Sequence, residues 1–83
     1  MQYTQAEKTL LENVNKIGME IKPSDDDFIF IRLSPHLDHL MAFLKRLNST
    51  EMQMVFMEYD GVMKVMRMIE ECARQMEKNL SLN

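Results

Sequence analysis

The chain has very little of what usually staples a small protein. It carries one cysteine, Cys72, in 83 residues, so no disulfide can close within it. There is no run of about 18 apolar residues, so no transmembrane helix is expected. The start, MQYTQAEKTLLENV, is polar and has no signal-peptide core. With no secretory signal, the sequons at Asn48 and Asn79 carry no meaning, and a reduced, cytoplasmic location is the simplest expectation. Positive charge is also short: ten basic residues face thirteen acidic ones, for a net charge of −3. That balance argues against a generic nucleic-acid binder. No catalytic pair, nucleotide loop or strong metal signature is visible, so the expectation is a non-enzyme without cofactors.

Eighty-three residues make a single small domain, 1–83. A chain this short buries only about 60 to 65% of its unfolded surface. With neither disulfide nor metal cluster, it needs very good helix packing or a second copy of itself.

What is present is helical pattern. Thr4 and Glu7 form a capping box that opens a first helix at about residues 5 to 17. Leu10, Leu11, Val14 and Ile17 make its apolar stripe, and Gly18 stands where a helix often stops. Pro23 and Ser24-Asp25-Asp26-Asp27 are turn chemistry. Phe28-Ile29-Phe30-Ile31 is rich in β-branched and aromatic residues, as strands are. Met19 to Lys22 can pair with it, which predicts a short β-hairpin lying on helices. Ser34-Pro35 reads as a second helix start, with Leu37, Leu40, Met41, Leu44 and Leu47 on the buried face.

The richest stretch is residues 49 to 80, read as one long helix opened by a capping box at Thr50 to Gln53. Of the ten methionines, six (52, 54, 57, 63, 66 and 68) fall between 52 and 68. Met52, Val55, Tyr59, Val62, Met66, Ile69, Ala73, Met76 and Leu80 alternate three and four apart, the rhythm of helix pairing. A second stripe holds Met54, Met57, Val65, Met68 and Cys72, about 120° around the helix. A helix apolar on two faces must bury both. The seam residues Val55, Tyr59, Val62, Met66, Ile69 and Met76 serve core or dimer. Met54, Met57, Val65 and Met68 are candidates for a partner, since methionine adapts to varied shapes. Asp60-Gly61 interrupts propensity, but the seam stays in phase across it. Gly61 suits a close backbone approach.

Other candidate sites are bland. His36 and His39 lack a third ligand, so a solvated first turn is favoured over a metal. Asp25 to Asp27 lacks the spacing of a calcium loop. Cys72 has no base beside it and reads as buried and inert.

Residues 28 to 37, FIFIRLSPHL, partly resemble ribbon-helix-helix regulators, in which a strand with an R-L-x-P-like step precedes two helices and pairs in a dimer. The resemblance implies that Phe28, Phe30 and Arg32 face a DNA groove, and only Arg32 suits base contacts. It spans about residues 28 to 60. The usual glycine between the two helices is missing, and a helix and an acidic turn precede the strand.

The sequence therefore points to an α+β fold, mainly helical: helix, short β-hairpin, helix, long C-terminal amphipathic helix. The expected function is a non-enzymatic protein–protein interaction module, a small regulatory, adaptor or inhibitor protein whose size fits a phage or mobile element. It is expected to form a homodimer and to bind another protein. Nucleic acid and membrane are not expected partners. The alternative is a dimeric ribbon-helix-helix-like DNA-binding regulator or antitoxin, with Arg32 as the DNA contact.

Overall fold

The structure is a computed structural model that describes residues 2–20 and 26–81, with side chains at 2–20 and 31–79. Among the described residues four helices follow one another: α1 (Gln5–Glu20), α2 (Asp26–Lys45), α3 (Ser49–Glu58) and α4 (Asp60–Ser81). No strand occurs among the described residues, so the fold is all-α and the expected α+β hairpin is wrong. Helix α1 packs against both α2 and α4, and α3 packs against α4.

The first helix begins as its capping box dictates. The Thr4 backbone N–H donates to Glu7 Oε1 at 2.8 Å, and the Glu7 N–H donates to Thr4 Oγ1 at 3.1 Å. Leu11, Val14 and Ile17 are buried on its inner face. Gly18 does not end it. The helix runs on to Glu20, and Gly18 is itself buried within the last turns. Met19 and Glu20 are thus helical rather than strand, while residues 21–25 of the expected hairpin lie outside the described residues.

The second helix overturns the strand at 28–31 and the start at Ser34-Pro35 together. Its backbone is helical from Asp26, and Pro35 sits well inside. The deciding pattern is Leu33, Leu37, Leu40 and Leu44, which holds helical spacing straight through the proline. Leu33 and Leu40 are fully buried, Leu44 and Phe43 nearly so. Burial of that stripe outweighs the local β preference of the phenylalanine–isoleucine run. Pro35 removes the N–H that would reach the Ile31 carbonyl. Both residues are exposed, Ile31 at 72%, so the interruption lies on the water-facing side where solvent can substitute. Met41, expected inside, is exposed.

The long third element is broken, though not at Gly61. Helix α3 opens on Asn48 instead of Thr50. The Asn48 side chain accepts from the Glu51 N–H at 2.8 Å, and Glu51 Oε1 accepts from the Asn48 N–H at 3.1 Å. The helix closes at Tyr59, whose φ of −124° and ψ of 80° leave the helical region. The Tyr59 N–H still donates to the Val55 carbonyl at 2.7 Å, and its own carbonyl accepts from Val62 N–H at 3.0 Å. Tyr59 therefore ends one helix and begins the next. Its ring stays inside, 6.2 Å from the Tyr3 ring, which lies equally close to Phe43.

Gly61 then does what a side chain would forbid. A Cβ at Gly18 would overlap the Gly61 backbone, and a Cβ at Gly61 would overlap the Asn15 carbonyl. Helices α1 and α4 thus cross with backbone against backbone. The first turn of any helix leaves N–H groups without partners. Here Asn15 Oδ1, from the other helix, accepts the Gly61 N–H at 2.8 Å.

Candidate functional site: the apolar face at the α3–α4 junction

The seam and second stripe named in the sequence are rearranged by the turn at Tyr59. Val55, Tyr59 and Val62 are core, and Met52, Met66 and Ile69 pack partly on it. Beyond Ile69 the seam leaves the core: Ala73 is exposed and Met76 is 66% exposed. The second stripe does not form one surface. Val65 is fully buried, Met68 is half-buried, and Met54 and Met57 are exposed, Met57 at 86%. Met54 and Met57 on α3 therefore meet different surroundings from Val65 and Met68 on α4.

Beside the turn lies a face that draws on both stripes and on two residues that belong to neither. Phe56 from α3 and Met63 from α4 are half-buried side by side. With Met57, Gln53 and Asp60 they line an open apolar depression of about 460 Å³. A second depression of about 260 Å³ adjoins it, sharing Phe56 and Met63 and adding Met52, Met66, Arg67 and Glu70. The two form one continuous apolar trough. Four methionines and a phenylalanine supply its apolar lining, and Asp60, Arg67 and Glu70 its charged lining. The Lys64 ammonium lies 3.6 Å from the Asp60 carboxylate. Of the residues expected to meet a partner, Met57 lines this trough, and Phe56 and Met63, which also line it, belong to neither stripe. The signal was present: both are large apolar residues outside the two stripes, and their spacing of seven puts them on one face of a helix.

The groove between α1 and α2 is more polar. It measures about 380 Å³ and is lined by Leu10, Phe43, His36, His39, Glu7 and Arg46 among others. The Arg46 guanidinium donates to Glu7 Oε2 at 3.1 Å and stands 5.9 Å over the Phe43 ring. Hydrogen bonds at Thr4, and then the Arg46 charge, hold the Glu7 carboxyl below its usual range. Both histidines thus reach one groove, yet no three metal-ligating side chains come together among the described residues. Asp26 and Asp27 of the acidic turn open α2, and Asp25 lies outside the described residues. Cys72 is a free, half-buried thiol.

The strand needed for a ribbon-helix-helix arrangement is absent, since the backbone at 28–31 is helical. The side chains of Phe28 and Phe30 lie outside the described set. Arg32 is tied to Glu20 across α1 and α2, with 2.8 Å between Nη2 and Oε2. No family model matches the chain, and neither a curated protein nor a solved structure matches it. Among the described residues, no helix is long and apolar enough to cross a membrane.

Proposed function

We propose that the protein is a non-enzymatic interaction module, a small regulatory, adaptor or inhibitor protein, that captures another protein on the Phe56–Met57–Met63 trough. The observation that carries this reading is Met57, 86% exposed beside a half-buried phenylalanine and methionine. Large apolar side chains gathered in an open depression are costly to leave in water and are typical of contact surfaces. Methionine suits the task because its flexible, polarizable chain re-packs against the guest. The occupant that fits is an amphipathic helix laying apolar side chains into the trough. The lone free thiol of Cys72 accords with a cytoplasmic setting.

Affinity capture from the native host, comparing the wild-type chain with Met57→Glu/Met63→Glu, tests the proposal. A protein that co-purifies with the wild type and is lost from a folded double variant is the expected result. The same protein retained by the folded variant would place the capture surface elsewhere.

A further inference from the structure

The groove between α1 and α2 has two compartments of opposite character. Two cross-helix ion pairs bracket it: Glu7 meets Arg46 at 3.1 Å at one end, and Glu20 meets Arg32 at 2.8 Å at the other. The two helices therefore run antiparallel along it. The compartment beside Glu7 holds about 380 Å³ against Ala6, Leu10, Ala42 and Phe43. The next holds about 310 Å³ and is lined by Asn13, Lys16, Ile17, Arg32 and His36. Asn13 and His36 line both, so the two are continuous. We propose that this groove binds a small organic anion with an apolar body, the anionic head in the second compartment and the body in the first.

Charge commits the site to that ligand. The chain is acidic overall, at −3, yet no aspartate or glutamate among the described residues lines the second compartment. Three basic side chains reach it, Lys16 from α1 and Arg32 and His36 from α2, and the Asn13 amide is a further donor. Lys16 makes no ion pair among the described residues. Arg32 gives Nη2 to Glu20, and its other N–H groups remain to donate. Glu7, the acid of the first compartment, is already held by the Thr4 N–H and Arg46. Glu12 and Asp38, the other acids on these stretches, line neither compartment. The first compartment offers apolar contact instead, and its small residues, Ala6 and Ala42, let a flat or extended body lie close to both helices. Its volume falls in the range of small-molecule sites, roughly 300 to 1,000 Å³. An elongated anion matches both compartments. A cation or a bare inorganic anion matches one at most.

The groove shares no lining residue with the Phe56–Met63 trough, so the two sites can fail separately. Amide chemical shifts of the full chain, followed by NMR as sodium 2-naphthoate is added at low salt, test the proposal. The shifts should move at Leu10, Asn13, Lys16, His36 and Ala42 and saturate at about millimolar concentration or below, as fits a ligand of this size. 2-Naphthylmethylammonium has the same body and the opposite charge, and inorganic phosphate has charge without the body. Each should bind roughly tenfold more weakly or not at all. Lys16→Gln should weaken naphthoate binding roughly threefold or more with an unchanged melting curve, and Lys16→Arg should keep it. Ala42→Leu, which fills the first compartment, should weaken it as well. Met57→Glu/Met63→Glu should bind naphthoate as the wild type does. Naphthoate that fails to saturate, or that binds no better than naphthylmethylammonium or phosphate, would overturn the proposal. So would shifts that gather around Met57 and Met63, or binding that ignores both Lys16→Gln and Ala42→Leu.

Discussion

Val65 and Met57 belong to the same apolar stripe of the sequence, yet one is sealed in the core and the other stands almost wholly in water. The difference is the turn at Tyr59. A ψ of 80° at one residue sends α3 and α4 in different directions, so the stripe is cut and its halves meet different surroundings. Val65 continues the line from Val62 that packs where α1 and α4 cross. Met57 lies beyond the turn and joins Phe56 and Met63 in an open trough. The two regions show that the methionine-rich stretch is neither all core nor all exposed. Valines and glycine hold the crossing, where packing must be tight. Methionines and phenylalanine gather where the shape is open.

That division can be broken by substitution. Val65→Asp carries the largest effect. An unpaired charge in a fully buried position costs about 4 kcal/mol or more, enough to unfold a domain of this size. Loss of helical circular dichroism at room temperature is the expected outcome, and a folded Val65→Asp would show that the α1–α4 packing is loose. Gly18→Ala comes next. A methyl group there meets the Gly61 backbone, which cannot step aside as a side chain can. Overpacking of this kind costs about 2 kcal/mol, read as a lower midpoint in urea. Asn15→Ala follows, because it strands the Gly61 N–H in a partly buried place. A loss of about 1 to 2 kcal/mol is expected, and a Gln at the same position should not restore it.

The effects then become small. Glu7 is held below the usual carboxylate range in the folded chain by its bonds to Thr4 and then by Arg46. A lowered folded value adds stability above the unfolded carboxylate range and loses it as pH falls through the folded value. The acid side of the stability–pH curve should therefore be flatter in Glu7→Gln than in the wild type, with the wild type the more stable near neutrality and the two converging at low pH. Smallest of all is Met57→Glu, expected to change stability by less than about 0.5 kcal/mol, as exposed substitutions do. A large loss there would mean that the trough is part of the core.

Much of this was legible in the sequence, for identifiable reasons. The Thr4–Glu7 box and the Leu11–Val14–Ile17 stripe are local signals, and both are seen. Gly61 was readable as a point of close approach, because a glycine within an unbroken apolar rhythm wants a packing reason. Other signals were outvoted. The residues 28–31 look like a strand, and Pro35 looks like a helix start, but both judgements weigh neighbours a few places away. The Leu33–Leu44 stripe acts over a longer span and wins. The turn at Tyr59 is marked in the sequence only by the adjacent Asp60-Gly61, and the apolar rhythm that runs on across that pair masks it. Its cause is tertiary: the ring is buried near Tyr3, and Asn15 of α1 accepts the Gly61 N–H in the first turn of α4. Phe56 and Met63, seven apart, share a helical face in the sequence, but that face holds fewer apolar residues than the seam and is overshadowed by it.

The central claim is that the fold rests on a backbone-to-backbone crossing at Gly61, which leaves the junction's outer face spare. Urea unfolding of Gly61→Ala tests it by sign. In an open helix that change stabilises by about 1 kcal/mol, because alanine loses less backbone entropy than glycine. The crossing predicts the reverse, a clear loss of stability of about 1 to 3 kcal/mol, since the new methyl group would strike the Asn15 carbonyl. A Gly61→Ala protein as stable as the wild type, or more so, would contradict the account.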